Sequence, residues 1–301
     1  MHKDSSAFVA WAVSAEIERG WLQKGIDSLG LVTAGEAPMA IGKAGYNGVV
    51  SLGDGGRATV QFQAPVVNEP GWDFAVFENS FDGHFLELAF VDVSSDGNRF
   101  VRFPAASLTD TAKIFTGFDT LYPEQINNLA GKYPAMYGTP FDLDELKDSA
   151  GLDVNNITHI RIVDVVGTSN PAYCSRDAAG RMIRDPWPTP FASGGFDLDA
   201  VGVIHRQPAA VSDLLSMGRL HIWPQPAVDA ISFTLPSNLP GQLQIFSLSG
   251  TLLKETFIQG REETPINIGN LNLNAGIYLL SLRFSDEQVY HAKFIVSHTT
   301  R

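Results

Sequence analysis

The sequence predicts an all-β protein of two units: a jelly-roll-like β-sandwich, then a small immunoglobulin-like β-sandwich. Three observations carry this. Apolar residues recur every two positions far more often than every 3.6. The apolar runs are short and closed by turn formers, with 28 Gly and 17 Pro in 301 residues. After about residue 212 the runs become evenly spaced, so residues 1–208 and 217–301 read as separate sandwiches joined by a linker at 209–216.

The elements follow in order. Met1–Asp4 leads into an apolar run, Phe8–Ala15, that is short for a signal segment and has Asp4 on its wrong side. It reads as the start of the folded protein. Ser14–Leu22 reads as one or two helical turns. Ala58–Phe62 alternates like a strand and is followed by Pro65, and Asp73–Phe77 reads as the next strand. Phe85–Val93 and Phe100–Phe103 flank Ser94-Ser95-Asp96-Gly97, a strong hairpin signal. Pro123–Ala130, with Pro first and Gly131 after it, reads as a short helix, and a second starts near Asp142 and runs to Leu146. Ile160–Val166 is a β-branched strand closed by Gly167, and Phe196–Ile204 is the last strand of this half. Between them Gly167–Gly195 has no period and four prolines, so it reads as a long surface loop of the kind that often carries function. Six or seven evenly spaced strands then follow from Ile231 to Val296, enough for a small immunoglobulin-like sandwich.

Composition excludes several functions. The chain has 33 acidic and 21 basic residues, a net charge of −12, and residues 1–212 hold 26 acids against 15 bases. Such a surface repels phosphate backbones and anionic lipid. No apolar stretch is long enough to span a bilayer. The lone Cys174 permits neither an internal disulfide nor a multi-thiolate zinc site.

Enzyme templates find little. The seven histidines are scattered with no H-E-x-x-H, and there is no G-x-S-x-G. Ser51–Gly56 is glycine-rich but lacks the P-loop lysine, so it reads as a turn. Carboxylates for glycoside chemistry can be drawn from so many acids that no pair stands out, although Glu78 with Asp164 or Asp199 is the first choice. Asp73, Glu78, Asn79, Asp164, Asp197 and Asp199 lie in or at the ends of apolar strands, where a carboxylate is costly unless paired or coordinated. Either some converge on a structural calcium, which takes six to eight oxygens, or they cap turns, accept backbone N–H groups or pair with Arg57, Arg99, Arg102 and Arg161. In Phe196–Ala200 a period of two places Asp197 and Asp199 on one face and Phe196, Leu198 and Ala200 on the core face. Trp72, Tyr137, Tyr173 and Trp187 lie near turns or in the long loop, where aromatic rings can stack on sugars. The other reading of these rings is a lid folded back on the core.

The C-terminal unit resembles the sorting domain of the Bacteroidetes type IX secretion system. The resemblance rests on Ile222-Trp223-Pro224-Gln225-Pro226 near its start, Ile245–Leu253 around Gly250, Leu273-Asn274-Ala275-Gly276-Ile277-Tyr278-Leu279-Leu280, and the closing Lys293-Phe294-Ile295-Val296. Gln225 stands where the family usually has Asn. As turn chemistry, Gly250 and Gly276 would each allow a positive φ. The resemblance implies recognition by secretion machinery, export across the outer membrane, and release or surface attachment. It also makes Asp-Ser/Thr-apolar triplets at Ser28, Thr111, Thr120 and Ser149 candidate O-glycosylation sites. Less sharply, blocks such as Gly71–Asn79, Val91–Phe100 and Gly194–Val201 resemble bacterial cell-surface proteins found with such tags, and Val93–Phe100 resembles the hairpin of discoidin-like jelly rolls. Together these imply a secreted or cell-surface, non-catalytic binding or adhesion protein for a glycan or other extracellular ligand, stabilised by calcium if the acidic strand ends converge on one. A carbohydrate-active enzyme (glycoside hydrolase or lyase) and a purely structural surface protein are the alternatives.

Overall fold

The computed structural model describes residues 1–112, 116–118, 120–207, 220–234, 241–258, 265–284 and 289–297. The chain divides into Met1–Pro208 and Ala209–Arg301. The linker expected at 209–216 lies outside the described residues.

In the first unit the strands are β1 (Ala10–Trp11), β2 (Ser14–Glu18), β3 (Val50–Ser51), β4 (Arg57–Val66), β5 (Phe74–Glu78), β6 (Ala89–Ser94) and β7 (Val101–Arg102). They continue with β8 (Ala106–Ser107), β9 (Ile126–Asn127), β10 (Leu129–Ala130), β11 (Thr139–Phe141), β12 (Ile157–Asp164) and β13 (Asp197–Val203). One antiparallel sheet runs β1-β13-β5-β11, with β3 also on β13; the other runs β10-β6-β12-β4-β2, with β7 on β6. Residues from both sheets meet in one core: Val60, Val91, Ile160 and Ile162 from the second, Phe74, Val76, Leu198 and Val201 from the first. Phe74 stacks on Phe141 at 5.3 Å, and Phe103 closes on Phe141 at 5.0 Å. Burying rings of this size is a dominant favourable term.

The expected hairpin forms: β6 and β7 pair, Gly97 takes φ 75°, and Asp96 accepts the N–H groups of Asn98 and Arg99. Asp142 caps a 3-10 turn, Leu143–Leu146, by accepting from Asp144 N.

Four expectations for the first unit are corrected. Ser14–Leu22 is not helical; Ser14, Glu16 and Glu18 are exposed while Ala15 and Ile17 are covered, and β2 pairs with β4. A period of two won over the short helical reading because β4 offered a free edge. Pro123–Ala130 holds only the 3-10 turn Pro123–Gln125 before β9 and β10, since Asn128 adopts φ 53° and breaks any helix. The Gly167–Gly195 segment is not wholly on the surface: Ile183, Arg184, Asp185 and Pro186 are buried. Finally, the register of β13 shifts between Leu198 and Ala200, opposite β5. This bulge turns Ala200 away from the core of Phe196 and Leu198, to pack with Phe77 and Ala44, and brings Val201 inward instead.

The second unit contains β14 (Ile222–Trp223), β15 (Ala230–Phe233), β16 (Gly241–Ser247), β17 (Leu252–Ile258), β18 (Ile266–Asn267), β19 (Gly276–Phe284) and β20 (Val289–Val296). Its sheets are β14-β15-β18 and β17-β16-β19-β20. Phe233, Leu243, Ile245, Leu280, Leu282 and Phe294 fill the core. Gly250 takes φ 83° in the β16–β17 turn, as expected. Gly276 does not take a positive φ; it opens β19 opposite Val296, and Asn272, at φ 48°, makes the left-handed step instead.

Candidate functional site

The six acid and amide residues singled out in the sequence fall in three places. Asp73, at the start of β5, is fully buried and accepts from Glu69 N at 3.0 Å and Leu143 N at 2.8 Å, with His205 Nδ1 at 2.8 Å. Asp199 receives Gly45 N on both oxygens at 2.9 Å. The remaining four belong together. Glu78, at the end of β5, accepts from Ser80 N; Asp197 accepts from Ser51 Oγ and has Asn79 beside it; Asp164, at the end of β12, accepts from Phe196 N at 2.7 Å and Gly55 N at 2.9 Å. Backbone amides and a hydroxyl therefore hold most of these carboxylates, and none of the four arginines considered does. Arg102 and Arg161 instead clamp Asp92, and Arg57 pairs with Glu18.

Three more acids join the group. Glu87 lies two residues before β6, Asp185 accepts from Leu88 N at 2.7 Å, and Asp54 sits in the Ser51–Gly56 turn. All are at most 8% exposed. Loss of water pushes Glu78, Glu87, Asp164 and Asp185 well above the usual carboxylate range, and their mutual repulsion adds to it. Burial raises Asp197 to about 6 and also raises Asp54, Asp73 and Asp199. Among the described residues no three His, Cys, Asp or Glu side chains stand close enough to share an ion. Asp197, Glu78 and Asp164 crowd the Glu87 carboxylate electrostatically.

The packing is tight enough to demand glycine. Gly195, with φ 70°, lies where a Cβ would stand 2.7 Å from Asp164 Oδ1. That explains the Gly194-Gly195 pair preceding β13.

The rim is aromatic. Asp54 Oδ2 accepts from Trp187 Nε1 at 2.8 Å and from Lys24 N at 2.7 Å, and Asp54 shares a two-bond bridge with Trp21. A Cβ on Gly25 would stand 2.5 Å from the Tyr173 hydroxyl. Thus Tyr173 and Trp187 flank one surface region around residues 21–25 and 54. Trp72, 49% exposed, precedes Asp73, and Tyr137 packs edge-on against His2 at 5.0 Å. Ser28 and Thr120 are exposed, Thr111 and Ser149 are half-buried, and Asp119 lies outside the described residues.

Sequence reasoning missed Asp54, Glu87 and Asp185. Glu87 carried the same signal as Glu78, an acid inside an apolar run. Asp185 carried none, because its burial depends on a loop folding inward.

In the second unit, Gly250 marks a tight β16–β17 turn and Gly276 starts β19, so the C-terminal motifs sit at turns and strand starts of a closed sandwich. Residues 221–297 match the family model for the secretion system C-terminal sorting domain. These residues are a type IX sorting domain. The protein is thus exported, to the cell surface or the medium, and its sorting domain engages the secretion machinery. No helix among the described residues is long and apolar enough to cross a membrane. The chain is also similar to an ulvan lyase of Nonlabens ulvanivorans, 33% identical over 86 residues, which is 28% of this chain and 16% of that protein.

Solved structures align only loosely. The BSP domain of a biofilm-associated protein is 8% identical with a TM-score of 0.24, over 99% of this chain and 53% of that one. The adhesin domain of Epf from Streptococcus pyogenes is 10% identical at 0.22, over 82% and 74%. A β-glucuronidase from Ruminococcus gnavus is 11% identical at 0.20, over 80% and 36%. Scores this low carry no argument about function.

Proposed function

We propose that residues 1–208 are a non-catalytic binding or adhesion module for an extracellular ligand of the glycan class, delivered to the cell exterior by the sorting domain. The supporting observation is the state of the carboxylates that a hydrolase or lyase would use. Glu78, Asp164 and Asp199 are 2%, 2% and 6% exposed, and each is occupied by backbone N–H groups. A general acid must reach the glycosidic oxygen, and these groups face the protein's own backbone. The rings of Trp187 and Tyr173 instead stand at the rim. The ulvan lyase likeness covers too little of that protein to bring its activity here. A glycan array run beside reducing-sugar and unsaturated-product assays tests the reading. Binding without turnover is expected; turnover that disappears in Glu78→Gln or Asp164→Asn would establish the enzyme instead.

A structural calcium is a second proposal, favoured by the crowding of like charges at Glu87. A buried carboxylate repelled by Glu78, Asp164 and Asp197 is one whose charge a cation would relieve. Melting should then shift upward in millimolar calcium relative to EDTA; an unchanged Tm removes the metal.

A further inference from the structure

Two loops of the first unit present aromatic rings to solvent on backbone that is firmly tied. Phe81 and Phe85 stack at 4.9 Å with their planes 23° apart, and Phe118 lies 6.1 Å from Phe85. Phe81 is 75% exposed and Phe118 76%. The first loop is fixed from within: Asp82 Oδ1 accepts from His84 N at 2.7 Å and Phe85 N at 2.6 Å, and Ser80 Oγ donates to the carbonyls of Asp82 and Phe85. Leu121 N donates to His84 O at 2.8 Å, which fastens this loop to the next. The second loop is held by Trp187 N on Thr116 O at 3.0 Å and by Gly117, where a Cβ would stand 2.4 Å from Pro188 O. Rings held out of the core on pinned backbone lose little freedom when a partner covers them.

Beside the rings opens a cleft of about 410 Å³, whose lining includes Phe118, Tyr122, Asp110, Thr120, Gln125 and Arg184. That volume falls within the roughly 300–1,000 Å³ of small-ligand sites. Tyr122 is 48% exposed and meets His84 edge-on at 5.5 Å, so its ring orientation is set. Arg184 Nη1 donates to the carbonyl of Asp110 at 2.9 Å, bracing the wall.

We propose that this cleft and its ring platform bind an uncharged saccharide. The inference rests on the binding function proposed above and gives it a place and a ligand class. Aromatic faces stack on the C–H faces of pyranose rings, and the hydroxyl, amide and carboxylate groups of Thr120, Gln125 and Asp110 match sugar hydroxyls. Charge selects against a polyanionic glycan, because residues 1–212 carry 26 acids and 15 bases. A protein partner would seek a broader apolar face than this half-polar lining provides.

The test uses the full chain, hexasaccharides of glucose, xylose and mannose, and polygalacturonate as the anionic counterpart. Titration should show one of the neutral hexasaccharides bound, weakened tenfold or more by Phe118→Ala and by Tyr122→Ala and unchanged by Phe257→Ala, an exposed ring on β17 of the second unit. Oxidative footprinting of the unmodified protein should show Phe118 and Tyr122 protected by that sugar, a readout that needs no variant to fold. Neutral-sugar binding with both variants unaffected and no protection overturns the site but leaves the binding function standing. Binding of polygalacturonate alone overturns the uncharged class. Absence of binding to any glycan, including an array, overturns both, and leaves a protein ligand for the rings.

Discussion

Asp197 is where the cost of the buried acids can be read most directly. Burial moves its pKa from 3.8 to about 6. Between those values the native state binds more protons than the unfolded chain, so stability falls as pH rises. The contribution is best below the unfolded value and is fully lost above the folded one. At 1.36 kcal/mol per pKa unit the whole shift is worth about 3 kcal/mol, of which roughly half returns between pH 7.5 and 5. Glu78, Glu87, Asp164 and Asp185, pushed up by the same loss of water, act in the same direction. In EDTA, acidification from pH 7.5 to 5 should therefore raise the Tm of the first unit, by about 3–6 °C from Asp197 alone at ~2–4 °C per kcal/mol. At still lower pH the trend reverses, as Asp82 and Asp96, held low by backbone N–H groups, take up protons. Four of the five tryptophans, Trp11, Trp21, Trp72 and Trp187, lie in this unit, so intrinsic fluorescence of a Trp223→Phe chain reports on it alone. Asp197→Asn keeps the shape and the Ser51 contact but cannot ionise, and should flatten the profile by the Asp197 share. A Tm that falls steadily from pH 7.5 to 5, or a slope identical in Asp197→Asn, refutes the reasoning.

Other expectations follow from single contacts. Gly195→Ala forces a Cβ to 2.7 Å from Asp164 Oδ1 at φ 70°, and urea unfolding should show a loss of about 2–4 kcal/mol. Asp92, 2% exposed between Arg102 and Arg161, should cost about 1.5–3 kcal/mol when changed to Ala, since it gives up charge-assisted hydrogen bonds to two partly solvated guanidinium groups; a loss under ~0.5 kcal/mol would mean that water replaces them fully. Deleting residues 217–301 should hold the protein within the cell envelope, as fractionation and immunoblotting would show; normal export of the shortened chain is the contrary outcome.

The fold class was legible because period-two patterning is a local property, and β4, β5, β6, β12 and β13 each announce themselves. The Asp96-Gly97 hairpin and the Gly250 turn were legible for the same reason. Local pattern failed where a partner decided the outcome. Ser14–Glu18 became a strand because β4 lies beside it, and Ala200 changed face because β13 bulges opposite β5. At the site, acids inside apolar runs pointed to Glu78, Asp164 and Asp197, yet backbone amides of Ser80, Phe196 and Gly55 hold the first two, which no side-chain pattern encodes, and the distant Ser51 hydroxyl meets Asp197. Phe81 and Phe118 escaped notice because exposure of a phenylalanine cannot be read from its neighbours.

The inward turn of Ile183–Pro186 also tells an engineer where the protein can be altered. It splits the 167–195 segment into two lobes anchored at their shared base by Leu88 N on Asp185. The first lobe ends in a tight reversal at Asp177–Arg181, whose tip, Ala179-Gly180, is exposed and touches nothing that a Cβ on Gly180 would meet within 4 Å. An epitope or fluorophore spliced there would lie in solvent. The same insert four residues later would pull the anchor out. Ala179-Gly180 is therefore the place to label this protein and follow its passage through the export machinery with that anchor intact.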